Sequence, residues 1–147
     1  MMTRTTHRFV SSALLAAQAA RQGVTIQTHD SGRDTLHACD GEQMTQVLLN
    51  LMLNGLQILT HGGQMQISTR DEPAQLVVEV ADDGPGIAPE DRERLFEPFI
   101  RAEPGRERET GGVGLGLAIV KSVAEWHGGG ARIGASPLGG ARVSISW

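Results

Sequence analysis

Asp82 and Asp83 follow the apolar run Val77-Val78-Glu79-Val80-Ala81, and Gly84-Pro85-Gly86-Ile87 turns the chain directly behind them. The run reads as a buried strand, so Asp82 would stand at a strand end with its oxygens open to hydrogen-bond donors. Gly84 and Gly86 carry no Cβ and would let a flat ligand lie against the backbone. An acidic turn after a strand has no function by itself. Its meaning depends on what other parts of the chain ask of the same ligand.

A second set of polar groups lies upstream. Gln43, Gln46, Asn50, Asn54 and Gln57 recur at steps of three or four, which puts them on one side of a helix expected from Asp40 to about Thr60. Gln43 can close a capping box with Asp40, and His61-Gly62-Gly63 stops the helix. From Gln43 to Thr69 the chain holds no Asp, Glu, Lys or Arg. An ordinary wet face would carry Glu or Lys, which are better helix formers than Asn, so the uncharged row reads as the lining of a site.

A third set is glycine. Gly111-Gly112-Val113-Gly114-Leu115-Gly116 runs into a helix expected over Leu117 to His127, ended by Gly128. Free N–H groups and the helix dipole at such a start can hold a phosphate without a lysine. No Lys-Ser or Lys-Thr follows the glycines, which excludes a Walker loop, and a dinucleotide fingerprint from Gly114 would need Gly or Ala where Ile119 stands. A carboxylate for a purine amine, backbone donors for phosphates and amide oxygens for magnesium together describe Mg-ATP.

With these residues in place, the chain resembles the catalytic and ATP-binding domain of sensor histidine kinases, in the superfamily shared with DNA gyrase, the heat-shock chaperone ATPase and mismatch-repair ATPases. The matching blocks are Asn50-Leu51-Met52-Leu53-Asn54-Gly55 (N box), Asp82 to Ile87 (first glycine box), Leu95-Phe96-Glu97-Pro98-Phe99 (F box) and Gly112 to Leu117 (second glycine box). The resemblance covers about residues 9–147, with residues 1–8 left as a linker or non-native remnant. It implies that Asp82 holds the adenine amine beside Gly84, Gly86 and Ile87, that Asn54 ligates Mg²⁺ with Asn50 assisting, and that residues 96–112 form a lid containing Phe96 and the phosphate-contacting Arg101. Gly112, Val113, Gly114, Leu115, Gly116 and Leu117 would bind phosphate. Phosphoryl transfer on this plan depends on placement and charge neutralisation more than on a strong protein base.

The chain departs from the family where a lysine and then an aromatic residue often follow the N box; Gln57 and Ile58 stand there instead. Asp83 replaces a common Asn. The phosphoacceptor is also missing: His7, His29, His37 and His61 do not sit in the family's histidine-acidic helical motif, and His127 matches a structural family position. The resemblance therefore implies a histidine on a separate helical dimerisation domain, with onward transfer to a response regulator. Two other readings share these residues: a stand-alone serine kinase of the anti-sigma-factor type, against which the F box speaks, and a degenerate nucleotide-binding interaction module, which Gln57 and Ile58 favour.

The positioning elements follow from the hydropathy pattern. Expected are a helix over about residues 8–22, a hairpin of Val24 to Thr28 with Thr35 to Cys39, and the long helix described above. Strands at Gln64 to Arg70 and Leu76 to Ala81, joined by Asp71-Glu72-Pro73, come next, then a short helix from Pro89 through Leu95. The charged stretch Arg101 to Gly111 reads as a loop, and a terminal hairpin of Ala131 to Ala135 with Ala141 to Trp147 closes the chain. The fold class is α+β: a two-layer α/β sandwich with a mixed sheet of about five strands on three helices.

Composition sets the limits. At 147 residues the chain fits one domain that buries its own core. A net charge of -4 without a basic block gives no general attraction to nucleic acid or acidic lipid. Cys39, the single cysteine, excludes an internal disulfide. No apolar run approaches the roughly 20 residues of a membrane helix. The expectation is a monomeric domain without membrane contact, at the cytoplasmic end of a larger sensor.

Overall fold

The computed structural model describes residues 2–4, 13–30, 36–38, 41–59, 62–98 and 116–147. Arg101, Gly112, Val113, Gly114 and Leu115, together with the expected loop of residues 101–111 and the Asp40 cap, lie outside the described residues.

In chain order the elements are β1 (Met2–Arg4), α1 (Ala13–Gln22), β2 (Val24–Asp30), β3 (Leu36–Ala38), α2 (Gly41–Ile58), β4 (Gly63–Glu72), β5 (Gln75–Asp82), α3 (Gly116–Trp126), β6 (Gly130–Ala135) and β7 (Ala141–Ser146). Five strands form one sheet in the order β2-β4-β5-β7-β6. β2 and β4 run parallel and the other neighbours antiparallel, so the sheet is mixed as expected.

The register puts Ile26, Met65, Ile67, Val78, Val80, Val143 and Ile145 on one face. The three α-helices of the described residues all join that face in a single core. α2 supplies Met44, Val47, Leu48, Leu51, Met52 and Leu56, a stripe at steps of three and four, and Leu56 has no exposed surface. Burying a side chain of that size stabilises by about 1.5–3 kcal/mol relative to leaving it in water. The other sheet face is polar. There Glu79 lies between Arg70 and Arg142, bonding Arg70 Nη1 and standing 3.8 Å from Arg142 Nη1, which links β4, β5 and β7.

One expectation fails. Val24–Asp30 and Leu36–Ala38 do not pair as a hairpin: β2 pairs in parallel with β4, from Val24↔Gly63 to Asp30↔Thr69, and β3 pairs with β1 in a separate two-stranded sheet. The reason is the crossover. α2 lies between β2 and β4 and carries the chain back across the sheet, the kind of connection a parallel pair requires. β2 then gains seven register pairs with β4, while the short β3 has three with β1.

Smaller differences have local causes. β4 and β5 extend to Glu72↔Gln75, so the turn is Pro73-Ala74. The expected helix after Pro89 is two 3-10 turns, Pro89–Asp91 and Arg94–Phe96, in which only Leu95 and Phe96 are buried. A segment with two residues to bury has no amphipathic stripe to carry an α-helix. α1 and α2 are joined at their ends, because Gln22 Nε2 donates to the carbonyls of Leu56 at 2.7 Å and Leu59 at 3.3 Å. These are carbonyls that a helix end otherwise leaves without a donor. α3 stops as read from sequence: the His127 and Gly128 N–H groups close the last turn and Gly128 takes φ +83°.

Candidate nucleotide site

Asp82 ends β5, the central strand, and is buried. Its Oδ1 accepts from the Gly84 N–H at 2.9 Å and from the Ala141 N–H at 3.2 Å. Among the described residues no hydrogen bond is made to Oδ2, which is therefore the oxygen available to a ligand amine. Burial pushes the Asp82 carboxyl above the usual aspartate range; the two N–H donors pull it down, and the neighbouring charge of Asp83 adds to the rise. The second carboxylate is used differently. Asp83 Oδ1 accepts from the Gln64 N–H at 2.9 Å, and the Asp83 N–H donates to the Gln64 carbonyl at 3.2 Å, so Asp83 fastens the turn to the start of β4.

The turn after Asp82 meets the end of α2. A Cβ on Gly84 would come within 2.9 Å of Ile58 Cγ2 and 3.1 Å of Asp82 Oδ1. Gly86 takes φ +78°, a conformation that favours glycine, and packs against the backbone of Gly140.

One helical turn back along α2, Asn54 and Asn50 meet the start of α3. A Cβ on Gly116 would stand 3.6 Å from both Nδ2 and Oδ1 of Asn54 and 4.0 Å from Asn50 Cβ. From Asn54 to Ile58 is about 6 Å along the helix axis. The Asp82 turn and the α3 start thus close on the same flank of α2, about one helical turn apart. Gln43, Asn50, Asn54 and Gln57 on that row are half-buried, while Gln46 is exposed.

Asn50 Nδ2 is buried and has no hydrogen-bond partner among the described residues. A buried amide without a partner costs free energy unless a ligand or water satisfies it. A flip of the amide presents its oxygen in place of the nitrogen, so Asn50 and Asn54 offer neutral oxygens of the kind Mg²⁺ accepts. Among the described residues no cluster of three His, Cys, Asp or Glu side chains could hold a metal. A cation here would draw its ligands from amides, water and the phosphates of a nucleotide.

The model for the histidine kinase-, DNA gyrase B-, and HSP90-like ATPase family matches residues 39–147. The chain belongs to that family. Sensor protein RstB of Escherichia coli (strain K12) is 43% identical over 139 residues, covering 95% of this chain and 32% of RstB. Full-length ShkA solved with AMPPNP is 30% identical with a TM-score of 0.75, covering 90% of this chain and 27% of ShkA. The catalytic domain of histidine kinase ThkA is 25% identical with a TM-score of 0.78, covering 90% of this chain and 84% of that one. ThkA has also been solved in complex with the response regulator protein TrrA; there it is 22% identical to this chain with a TM-score of 0.74, covering 90% of this chain and 36% of that one, a likeness of fold. The chain spans about a third of the length of the curated relatives it matches.

The fold and these relatives make the chain a catalytic, ATP-binding domain of the sensor histidine kinase type. Within this ATPase fold the remaining site residues divide by burial. Phe96 is buried in a second core cluster with Leu95 and Ile133, joined by Ile87 and Leu117, and Lys121 Nζ lies 5.5 Å from the centroid of its ring. Phe96 therefore anchors the start of the F box against α3 and β6. Leu117 packs against both clusters and so fixes the start of α3 relative to the sheet.

One part of the site was not read from sequence. In the sequence Ser136 to Gly140 read only as the turn of the terminal hairpin and Ala141 as the first residue of its second strand, yet the Gly140 N–H donates to the Asp82 carbonyl at 3.1 Å and the Ala141 N–H reaches its side chain. The adjacent pair Gly139-Gly140 was the available signal: the tip of a hairpin explains one such glycine but leaves the second to be explained.

Among the described residues no helix is long and apolar enough to cross a membrane.

Proposed function

We propose that this chain binds Mg-ATP along the flank of α2 and hands the γ-phosphate to a histidine on a helical dimerisation domain, for onward transfer to a response-regulator aspartate. The observation that carries the reading is the convergence of the Asp82 turn and the α3 start on one row of α2 amides. Adenine lies at Asp82, Gly84 and Gly86, and the phosphates lie at the α3 start with its preceding glycines. Asn54 and Asn50 hold Mg²⁺, which neutralises the phosphate oxygens when bound. Arg101 and Gly112 to Leu115 contribute the remaining phosphate contacts from the lid and the second glycine box.

In the transfer, the histidine nitrogen forms the new bond to the γ-phosphorus as the bond to the bridging oxygen breaks and ADP leaves. The chain's part is to hold the nucleotide and exclude water. Residues 9–147 form the domain, in the cytoplasm, monomeric by itself, as a portion of a longer sensor.

Titration calorimetry with a non-hydrolysable ATP analogue tests the site. Expected is binding that strengthens with Mg²⁺ and weakens by about tenfold to a hundredfold in Asp82→Asn; no binding by the parent, or an unchanged Asp82→Asn, overturns the assignment. Adding a cognate helical domain and labelled ATP then tests the transfer, because phosphohistidine is acid-labile and phosphoserine is not. Ile58, in place of an aromatic residue, favours one further reading: a module that binds nucleotide and transfers nothing even when that domain is added.

A further inference from the structure

The turn between β6 and β7 holds Asp82 by both its backbone and its side chain. The Gly140 N–H donates to the Asp82 carbonyl and the next N–H, of Ala141, donates to Oδ1. The turn is itself locked: the Ser136 N–H donates to the Gly140 carbonyl at 2.8 Å, the Gly139 N–H to the Ser136 carbonyl at 3.0 Å, and the Leu138 N–H to Ser136 Oγ at 3.0 Å. Ser136 and Gly140 are both buried.

The two glycines of this turn serve different needs. Gly139 takes φ +104° and has open space where a Cβ would go, so it serves the bend. Gly140 is not at positive φ but has no room. A Cβ there would overlap Asp82 Oδ1 and lie 2.6 Å from both the Asp82 carbonyl oxygen and the Gly84 nitrogen. Only a hydrogen at this position lets β7 begin close enough for Ala141 to reach the carboxylate.

We infer that Gly140 is a specificity-determining positioning residue: by letting the Ala141 N–H bond Oδ1, it fixes the Asp82 carboxylate with Oδ2 alone presented, and so selects a 6-amino purine over a 6-oxo purine. This rests on the proposal that Asp82 receives the base. An exocyclic amine donates to Oδ2. A 6-oxo purine presents an acceptor to an acceptor, and the nearby N–H donors of Gly84 and Ala141, which could have served its oxygen, are already engaged. With the carboxylate released from the turn, it can swing aside and expose those donors, and the discrimination falls.

The test measures dissociation constants of the chain for ATP and inosine triphosphate analogues in the parent, Asp82→Asn, Gly140→Ala and Gly139→Ala, with folding followed by circular dichroism. The parent is expected to prefer the adenine nucleotide by about tenfold to a hundredfold, the range of one hydrogen bond to a charged group. Asp82→Asn and Gly140→Ala lose that preference, and the double variant loses no more than either alone. Gly139→Ala is strained at its φ and less stable, but it keeps the preference.

If Asp82→Asn abolishes the preference while Gly140→Ala weakens both nucleotides alike or neither, the inference is overturned and the Asp82 reading stands. A parent without preference overturns the Asp82 reading itself, and the inference with it. Should Gly140→Ala fail to fold, an ester in place of the Gly140–Ala141 amide, made by semisynthesis with lactic acid at position 141, removes the same N–H without adding an atom beside Oδ1. The same loss of preference is expected there, and its retention counts against the inference.

Discussion

Gly116 stands against the amide of Asn54, so close that an added Cβ would lie 3.6 Å from both Nδ2 and Oδ1. This contact brings the positive end of the α3 dipole beside neutral oxygen donors of α2, which suits a phosphate chain and its cation together. Asn54→Ala removes one oxygen donor and leaves the helix a better former than before. Expected is loss of the Mg²⁺-dependent part of nucleotide affinity, at least about tenfold, with thermal stability held or raised. Calorimetry with and without Mg²⁺ checks this, and an undiminished response to Mg²⁺ places the cation elsewhere.

Asp82 should make the empty domain less stable as pH rises. Its folded pKa lies above the unfolded value, chiefly through burial, so the folded state binds the proton more tightly. Stability then falls as pH climbs from the ordinary aspartate range through the raised folded pKa. Asp82→Asn keeps an oxygen for the Gly84 and Ala141 donors and removes the buried charge. Urea unfolding across pH should find the variant more stable than the parent at neutral pH, with the difference shrinking towards acid. A difference that grows on acidification contradicts the assigned direction.

Gln22 couples α1 to the far end of the site through its bonds to Leu56 and Leu59. Gln22→Ala leaves those carbonyls without that donor, and a loss of about 1 kcal/mol in unfolding free energy is expected. Because Ile58 lies between the two carbonyls, amide exchange at the end of α2 should rise more than in β5. Uniform exchange across both elements would show that the bond contributes to global stability and not to this end of the helix.

The spacing of α2 was legible because one helix carries two patterns at once: the stripe from Met44 to Leu56 and the amide row beside it. Strand alternation gave Val24 and Ile26 an inward face but could not name their neighbour, and the choice between β3 and β4 depended on the path of α2 across the sheet. Asp82 was legible from its glycines. Its bond to Ala141 was not, since the two residues are 59 positions apart and neither belongs to a local pattern that includes the other. Asp83 read only as part of the acidic turn; its bond to Gln64 depends on the register of β4 against β5, which no local pattern sets.

Ile58 forms the α2 side of the Asp82 turn, where a Cβ on Gly84 would come within 2.9 Å of its Cγ2. An aliphatic side chain there offers a base apolar contact but no face to stack on. Base–aromatic stacking is worth about 1–3 kcal/mol against alanine, and Ile58 already supplies part of that by burial. Ile58→Tyr is therefore expected to tighten nucleotide binding by about threefold to tenfold. Stacking does not read the exocyclic group, so the gain should be the same for adenine and hypoxanthine nucleotides, unlike the effect of Gly140→Ala. Calorimetry on both nucleotides separates the two roles: an equal gain assigns Ile58 to the wall of the pocket, whereas no gain for either puts the base out of its reach.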